Sequence, residues 1–411
     1  MSTQRVLIPV VVLVVVSVPL SAQNVPESCG VRDWFQLRDK VAQGASSLLC
    51  KGATDASFEH RREAEHELKK VIREAPRSDD ALAAHRVLTA LYHRHGQYRK
   101  ALSQVDQGLT ERPDAKDLKD IRSMLEVLAH FSDLEIAHSA RSVVEGEIND
   151  LGFMCIPLTI RGFSATYTVD TGAAMSMMSE SEAKRLGLTV YETTTKVRDA
   201  NGVLSAIRLA EAPDLRIGRI HLKNVAFGIF PDGNVSFVSL PNDHKGVLGI
   251  PVLLALASLR GESATDNRIV VGARESTLGE QSIPLAFDNQ TPLVQILFHE
   301  RPLTFVFDTG AIQTGFNKSF ADAFPSLMQT GHHKQEEAGA YSGPSYQDSI
   351  EVPVVRLSLT RQVEWDLAPA SVLLNTNTDF AGHVGLDMFI WLSQKHSPLT
   401  IDFHAMRLSF Q

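Results

Sequence analysis

The chain has 411 residues, enough for two or three domains. Its residues are 44% hydrophobic and 21% charged, the balance of a globular protein, which excludes a largely disordered chain. The formal net charge of −8, with basic residues scattered rather than clustered, excludes the electrostatic footprint of a nucleic-acid binder.

The N-terminus reads as a targeting segment. Arg5 precedes an apolar run over residues 6–20, and Ser21 and Ala22 supply small residues for cleavage. The run is short for a membrane-spanning helix. A signal peptide over residues 1–22 is therefore expected, with Gln23 as the new N-terminus and an uncleaved segment as the only membrane attachment. No cysteine directly follows the run, which argues against a lipid anchor. The chain is expected to be exported, to a periplasm or beyond. In such a compartment Cys29 and Cys50 either pair as a disulfide or pack as two buried thiols.

Residues 23–142 are expected to be helical. Leu88, Leu91, Tyr92 and Tyr98 recur at helical spacing around Gly96. Leu88, Tyr92, Gly96, Ala101 and Pro113 fall on positions that resemble a tetratricopeptide repeat, and Ala64 and Pro76 mark an earlier partial copy. Isolated repeats cannot bury their faces, so they must pack on one another or on the rest of the chain. Two roles stay open: a prodomain or spacer, and a docking module for a protein partner.

From about residue 150 the pattern turns to strands. Residues 153–160 and 165–169 form one strand-like pair, with Gly162 at the turn. Residues 293–298 and 303–307 form another, with the turn at 300–302. Two mainly β lobes are expected, over residues 143–278 and 279–411, dividing in the polar stretch 275–282. Cys155 lies in an apolar run and is expected to be a packed core thiol.

Each strand pair ends in the same triplet. Tyr167, Thr168 and Val169 lead into Asp170, Thr171, Gly172 and Ala173. Phe305, Val306 and Phe307 lead into Asp308, Thr309, Gly310 and Ala311. A glycine motif follows each at nearly equal spacing: Gly246 to Gly249 in the first copy, Gly382 to Gly385 in the second. A helix N-cap residue follows each Asp at the same distance, Ser179 and Asn317. Ser179 with Glu182 also makes a capping box. One Asp-Thr-Gly triplet is an ordinary turn signal. Three features repeating at two sites indicate a duplicated unit.

On these residues the chain resembles the aspartic proteases of the pepsin and retropepsin type, over roughly residues 145–411. Ala173 and Ala311 are similar to the retroviral enzymes, as is the stretch 384–389 followed by 399–403. Pro251, standing where the second copy has Asp387, departs from the pattern; proline suits the first turn of a helix. The resemblance implies two retropepsin-like lobes forming a bilobal pepsin-like unit. It implies an endopeptidase in which Asp170 and Asp308 share one proton and activate water. Thr171 and Thr309 are implied to cross-link the two loops, with Gly172 and Gly310 letting the chain turn tightly. Because alanine lacks a hydroxyl to stabilise each charged Asp, activity is expected at roughly pH 5 to 7.

The resemblance also implies a lid. Its hairpin-tip candidates are Asn201 and Gly202 in the first lobe and Tyr341 and Gly343 in the second; ordinary surface turns are the alternative. No metal or other cofactor is expected. His66 and Glu67 begin a zincin-like pattern, but Lys70 stands where the second His is required. The expected partners are a peptide or protein substrate, with no nucleic acid. A second reading keeps the lobes as a non-catalytic peptide-binding scaffold whose repeats recruit partners. In a third, each lobe pairs across chains.

Overall fold

Residues 34–128 keep their apolar side chains at helical spacing, and they fold as a run of helices. The computed structural model describes residues 10–11, 25–44, 46–149, 152–194, 196–198, 204–234, 237, 240–263, 266–272, 281–340, 343–376, 378–396 and 398–411. The helices are α1 (Trp34–Ala42), α2 (Leu48–Ser57), α3 (Arg61–Glu74), α4 (Asp79–Arg94), α5 (Tyr98–Glu111) and α6 (Lys116–Leu128). The side chains of Asp33, Ser47 and Ser78 accept hydrogen bonds from the backbone N–H of Gln36, Cys50 and Ala81, capping α1, α2 and α4. Each helix packs on the next, and Ala64, Leu88, Leu91, Tyr92 and Ala101 are buried in the seams.

Cys29 and Cys50 are joined by a disulfide with Cα atoms 5.8 Å apart, so the two-thiol alternative is set aside. The bridge ties the segment before α1 to α2. Cys155 is a free, buried thiol, and burial pushes its pKa up to about 11. It stays protonated and unreactive near neutrality.

After the helices, strand structure resumes at β1 (Glu135–His138), ahead of the residue 143 expected. All four of its residues are exposed, so no alternation betrays it. It pairs with Ile220–Lys223 at the edge of the first sheet. β2 (Ser142–Glu145) follows.

The next strands repeat one wiring twice. In the first half, β3 (Met154–Ile160) and β4 (Phe163–Val169) form an antiparallel hairpin. β5 (Ser176–Ser179), α7 (Glu180–Arg185), β6 (Arg208–Ala212), β7 (Val225–Phe230), β8 (Gly246–Leu248) and α8 (Ile250–Leu256) complete it. β8 runs parallel to β4 and antiparallel to β5; β5 is parallel to β7, and β7 antiparallel to β6. β9 (Ser258–Ser263) and β10 (Asp266–Val271) close this half.

In the second half, β11 (Gln281–Asp288) leads into the hairpin of β12 (Thr291–Phe298) and β13 (Arg301–Phe307). β14 (Gly315–Phe316), α9 (Lys318–Ala323), β15 (His332–Ala340), β16 (Gly343–Val352), β17 (Ala370–Leu373), β18 (Gly382–Val384) and α10 (Leu386–Lys395) follow. β18 is parallel to β13 and antiparallel to β14; β14 is parallel to β17, and β17 antiparallel to β16. With β19 (Leu399–Asp402) and β20 (Arg407–Phe410), a shared antiparallel sheet runs β11–β20–β19–β9–β10–β2. Its order is symmetric about the β19–β9 pair, so the two halves meet across a local two-fold relation.

One buried group makes the helical region sensitive to acid. His93 in α4 is 3% exposed, its ring stands edge-on to Tyr98, and neither ring nitrogen has a hydrogen-bond partner among the described residues. Burial pushes its pKa down to about 4. Between roughly pH 6.5 and 4 the unfolded chain binds the proton that the folded chain refuses. Stability is therefore full above that window and falls as pH drops through it, by up to ~3 kcal/mol. His93→Phe is expected to remove this contribution, so that its unfolding midpoint relative to the native chain rises as pH falls from 7 to 4.5. A variant that keeps the wild-type slope overturns the assignment.

Candidate active site

β4 and β13 each deliver an Asp to the same place. Asp170 N donates to Leu248 O (3.1 Å) and Asp308 N donates to Val384 O (3.0 Å), so each loop is tucked against the glycine-motif strand beside it. This is why both copies need a strand, a triplet and a downstream glycine motif.

The two loops are cross-linked with near-symmetry. Thr171 Oγ1 donates to Phe307 O (2.7 Å) and accepts from Thr309 N (2.9 Å). Thr309 Oγ1 donates to Val169 O (2.8 Å) and accepts from Thr171 N (3.0 Å). Each hydroxyl thus reaches into the opposite half, and both threonines are fully buried. Hydrogen bonds in such a dry setting resist competition from water.

Gly172 and Gly310 serve by close approach. A Cβ on Gly172 would lie 2.5 Å from Asp308 Oδ1, and one on Gly310 would lie 2.4 Å from Asp170 Cγ. Only glycine lets each backbone lie against the other half's carboxyl group. The same segments supply donors: Gly172 N (2.8 Å) and Ala173 N (3.1 Å) to Asp170 Oδ1, and Gly310 N (2.9 Å) to Asp308 Oδ1.

Both carboxyl groups are buried. Burial first, and then the Asp308 charge and a hydrogen bond with it, hold the Asp170 pKa well above the usual carboxylate range. Burial pushes Asp308 up to about 6, against the downward pull of backbone donors and of Asp170. Asp170 Oδ2 receives no donor among the described residues. Two carboxyl groups so placed can share a proton, whose titration then belongs to the pair. Among the described residues, no group of three His, Cys, Asp or Glu side chains is arranged to hold a metal.

The structure adds residues that sequence reading missed. Ser176 Oγ accepts from Gly249 N (3.1 Å), and Thr314 Oγ1 accepts from Gly385 N (2.9 Å). These hydroxyls pin each downstream glycine to the loop. They stand at the same distance after Asp170 and Asp308, a regularity visible once the triplets are aligned. Thr314 also donates to Asp387 Oδ1 (2.7 Å), whereas Pro251 simply opens α8 in the other half.

Two capping expectations need correction. Ser179 does cap α7 by accepting from Glu182 N, but the Glu182 carboxylate binds Tyr167 Oη and Arg185 instead of closing a box. Asn317 occupies the cap position of α9 without a side-chain cap bond; its Nδ2 donates to Thr378 Oγ1 (2.9 Å). Competing partners redirect both side chains: Tyr167 and Arg185 donate to Glu182, and Thr378 accepts from Asn317.

Of the lid candidates, Asn201, Gly202 and Tyr341 lie outside the described residues. Gly343 starts β16, paired with Ala340 of β15, so it sits at the end of the long β15–β16 hairpin.

A family profile described as aspartyl protease matches residues 156–252, which takes in Asp170, Thr171 and Gly172 but not the second triplet. No curated protein matches the chain. Among solved structures, Basic 7S globulin from soybean is similar at 13% identity and a TM-score of 0.40, covering 67% of this chain and 95% of that one. The profile and the β architecture together make residues 156–252 an aspartic-protease-like region.

Proposed function

We propose that the chain is an exported aspartic endopeptidase whose two halves form one bilobal, pepsin-like unit, with Asp170 and Asp308 as the catalytic pair. One observation carries this reading: two buried carboxyl groups, each set against the other half's triplet glycine and held by the reciprocal Thr171–Thr309 lattice. A scaffold that only holds peptides has no need of two buried acids, each of which costs stability when ionised.

The proposed cycle uses only the pair. The ionised carboxyl takes a proton from a water molecule as that water attacks the scissile carbonyl carbon. The protonated carboxyl donates to the carbonyl oxygen. As the C–N bond breaks, a proton passes to the leaving nitrogen and the pair again holds a single proton. Thr171, Thr309, Gly172 and Gly310 keep the two groups in register. The β15–β16 hairpin is the candidate lid. The Cys29–Cys50 disulfide supports export, since such bonds persist in oxidising compartments. The expected domain plan is a signal peptide over 1–22, a tetratricopeptide-like helical region to 142, and lobes over 143–278 and 279–411.

The pH profile tests the pair. Asp308 is raised to about 6 and Asp170 is held well above the usual carboxylate range, so one carboxyl ionises while the other keeps its proton as pH approaches neutrality. The kcat/KM is expected to peak above about pH 5 and to fall at least about tenfold by pH 4, as the base is protonated. Cleavage of a mixed peptide set from acid to neutral pH reads this directly. A peak below pH 4 counts against it, and no cleavage at any pH returns the weight to the peptide-binding scaffold.

A further inference from the structure

The helical region touches both β halves, each time next to a catalytic loop. α4 packs against α8 of the first half. The leading residue of α8, Ile250, donates its N–H to Ala173 O (2.9 Å), one position beyond the first triplet. In the second half, the turn between β11 and β12 is gripped from the helical side. Arg94 Nη1 donates to Asn289 O (2.7 Å), and its guanidinium lies 4.8 Å above the Phe287 ring. Ser57 Oγ donates to Phe287 O (2.6 Å), and Trp34 and Asp288 line one cavity. β12 leaves this turn to pair with β13, which ends at Asp308.

Arg94 is the centre of the contact. It is 2% exposed; its Nε donates to Glu59 Oε1 (2.6 Å) and its Nη2 to Ala56 O. His95 Nε2 meets the other oxygen of Glu59 (2.6 Å). Glu59 adopts a left-handed backbone (φ 64°), a strained state for a residue with a Cβ, held here by the Arg94 guanidinium and the His95 ring. Burial would raise its pKa, yet Arg94 and His95 hold it down at about 2, so the pair stays charged at any working pH. The surface related by the local two-fold is different: Ile148 and Ile390 are 56% and 41% exposed beside an open cavity of ≈ 250 Å³. Among the described residues nothing covers α10 as α4 covers α8, so the cover on α8 is not a general need of the fold.

We infer that the helical region is a permanent brace on the carboxyl pair rather than a removable propeptide, with Arg94 as its positioning residue. It holds α8 of one half and the β11–β12 turn of the other at a fixed separation. This rests on the two-carboxylate reading above. A shift of about 1 Å between the carboxyl groups is enough to cost about 10²-fold in rate, and the brace opposes that shift from outside the loops.

The test uses the full chain with a specific protease site inserted after Ala129, alongside Arg94→Met, Arg94→Lys and Asp308→Asn. After nicking, the helical fragment is expected to stay bound through gel filtration with kcat unchanged. Arg94→Met, assayed well below its unfolding midpoint, is expected to lower kcat about tenfold with KM within about twofold, and to shift the pH–rate profile. Arg94→Lys recovers part of the loss. A merely structural role would lower the unfolding midpoint and leave kcat and the pH profile of the folded fraction alone. Release of the fragment with a rise in activity, or wild-type kcat in Arg94→Met, overturns the brace. If the intact chain cleaves peptides and Asp308→Asn does not, the two-carboxylate reading survives either result. If no form cleaves, that reading fails and the brace falls with it.

Discussion

Asp308→Asn is expected to lower peptide cleavage by about 10⁴-fold, as removing one member of a catalytic unit does elsewhere. It is also expected to raise the unfolding midpoint at neutral pH. The two effects have one cause. Burial raises the Asp308 pKa to about 6, above its value in the unfolded chain. Folded protein therefore binds more protons than unfolded protein between roughly pH 4 and 6. Stability is full below that window and declines as pH rises through it, by ~3 kcal/mol once pH exceeds 6. This is the reverse of a salt-bridged carboxylate. Asn keeps the shape, removes the second charge, and lets Asp170 titrate without a like-charged neighbour. Measured against the native chain, the variant's unfolding midpoint should rise between pH 4 and pH 7, a difference in which the opposing His93 contribution cancels. Cleavage by the variant above about 1% of the native rate would falsify the catalytic assignment.

Gly310→Ala is the second change with a large expected effect. Its Cβ would stand 2.4 Å from Asp170 Cγ and 2.5 Å from Asp170 Oδ1. Neither side can retreat: Asp170 is held by the N–H groups of Gly172 and Ala173, and the Gly310 backbone by the Thr171–Thr309 lattice. Overpacking a tight core costs about 1–3 kcal/mol, and a rigid polar neighbour places this site near ~3 kcal/mol. The displaced carboxyl should also cost about 10²-fold or more in kcat/KM. Gly172→Ala is expected to behave alike, because its Cβ meets Asp308 Oδ1 at 2.5 Å. Gly261→Ala, where nothing lies within 4 Å, is the control and should leave both quantities nearly unchanged. Native activity in Gly310→Ala would mean that the two loops are not held as tightly as the lattice implies.

The candidate site was legible to the extent that its chemistry is local. Asp170, Thr171 and Gly172 must adjoin one another, so the demand for an acid, a cross-linking hydroxyl and a close backbone is written in consecutive residues, and again at Asp308, Thr309 and Gly310. Ser176 and Thr314 escaped because a lone hydroxyl carries no signal until the glycine it pins is placed beside it. Asn317 was read as a cap because its position is that of one; a nearby Thr378 hydroxyl, distant in sequence, took its side chain. β1 was missed because an exposed edge strand has no alternation to display.

By itself, then, the sequence determined the helical spacing of residues 34–128, the doubled triplets and the strands that end in them. These depend on neighbours a few positions apart, where side-chain periodicity and turn chemistry act directly. That Cys29 meets Cys50, that Thr171 and Thr309 exchange hydrogen bonds, and that Arg94 reaches Asn289 follows from the packing of the folded chain. Each of these joins residues far apart in the chain. Their partners are selected by the packing of whole sheets and helices, which brings together groups that no local pattern links.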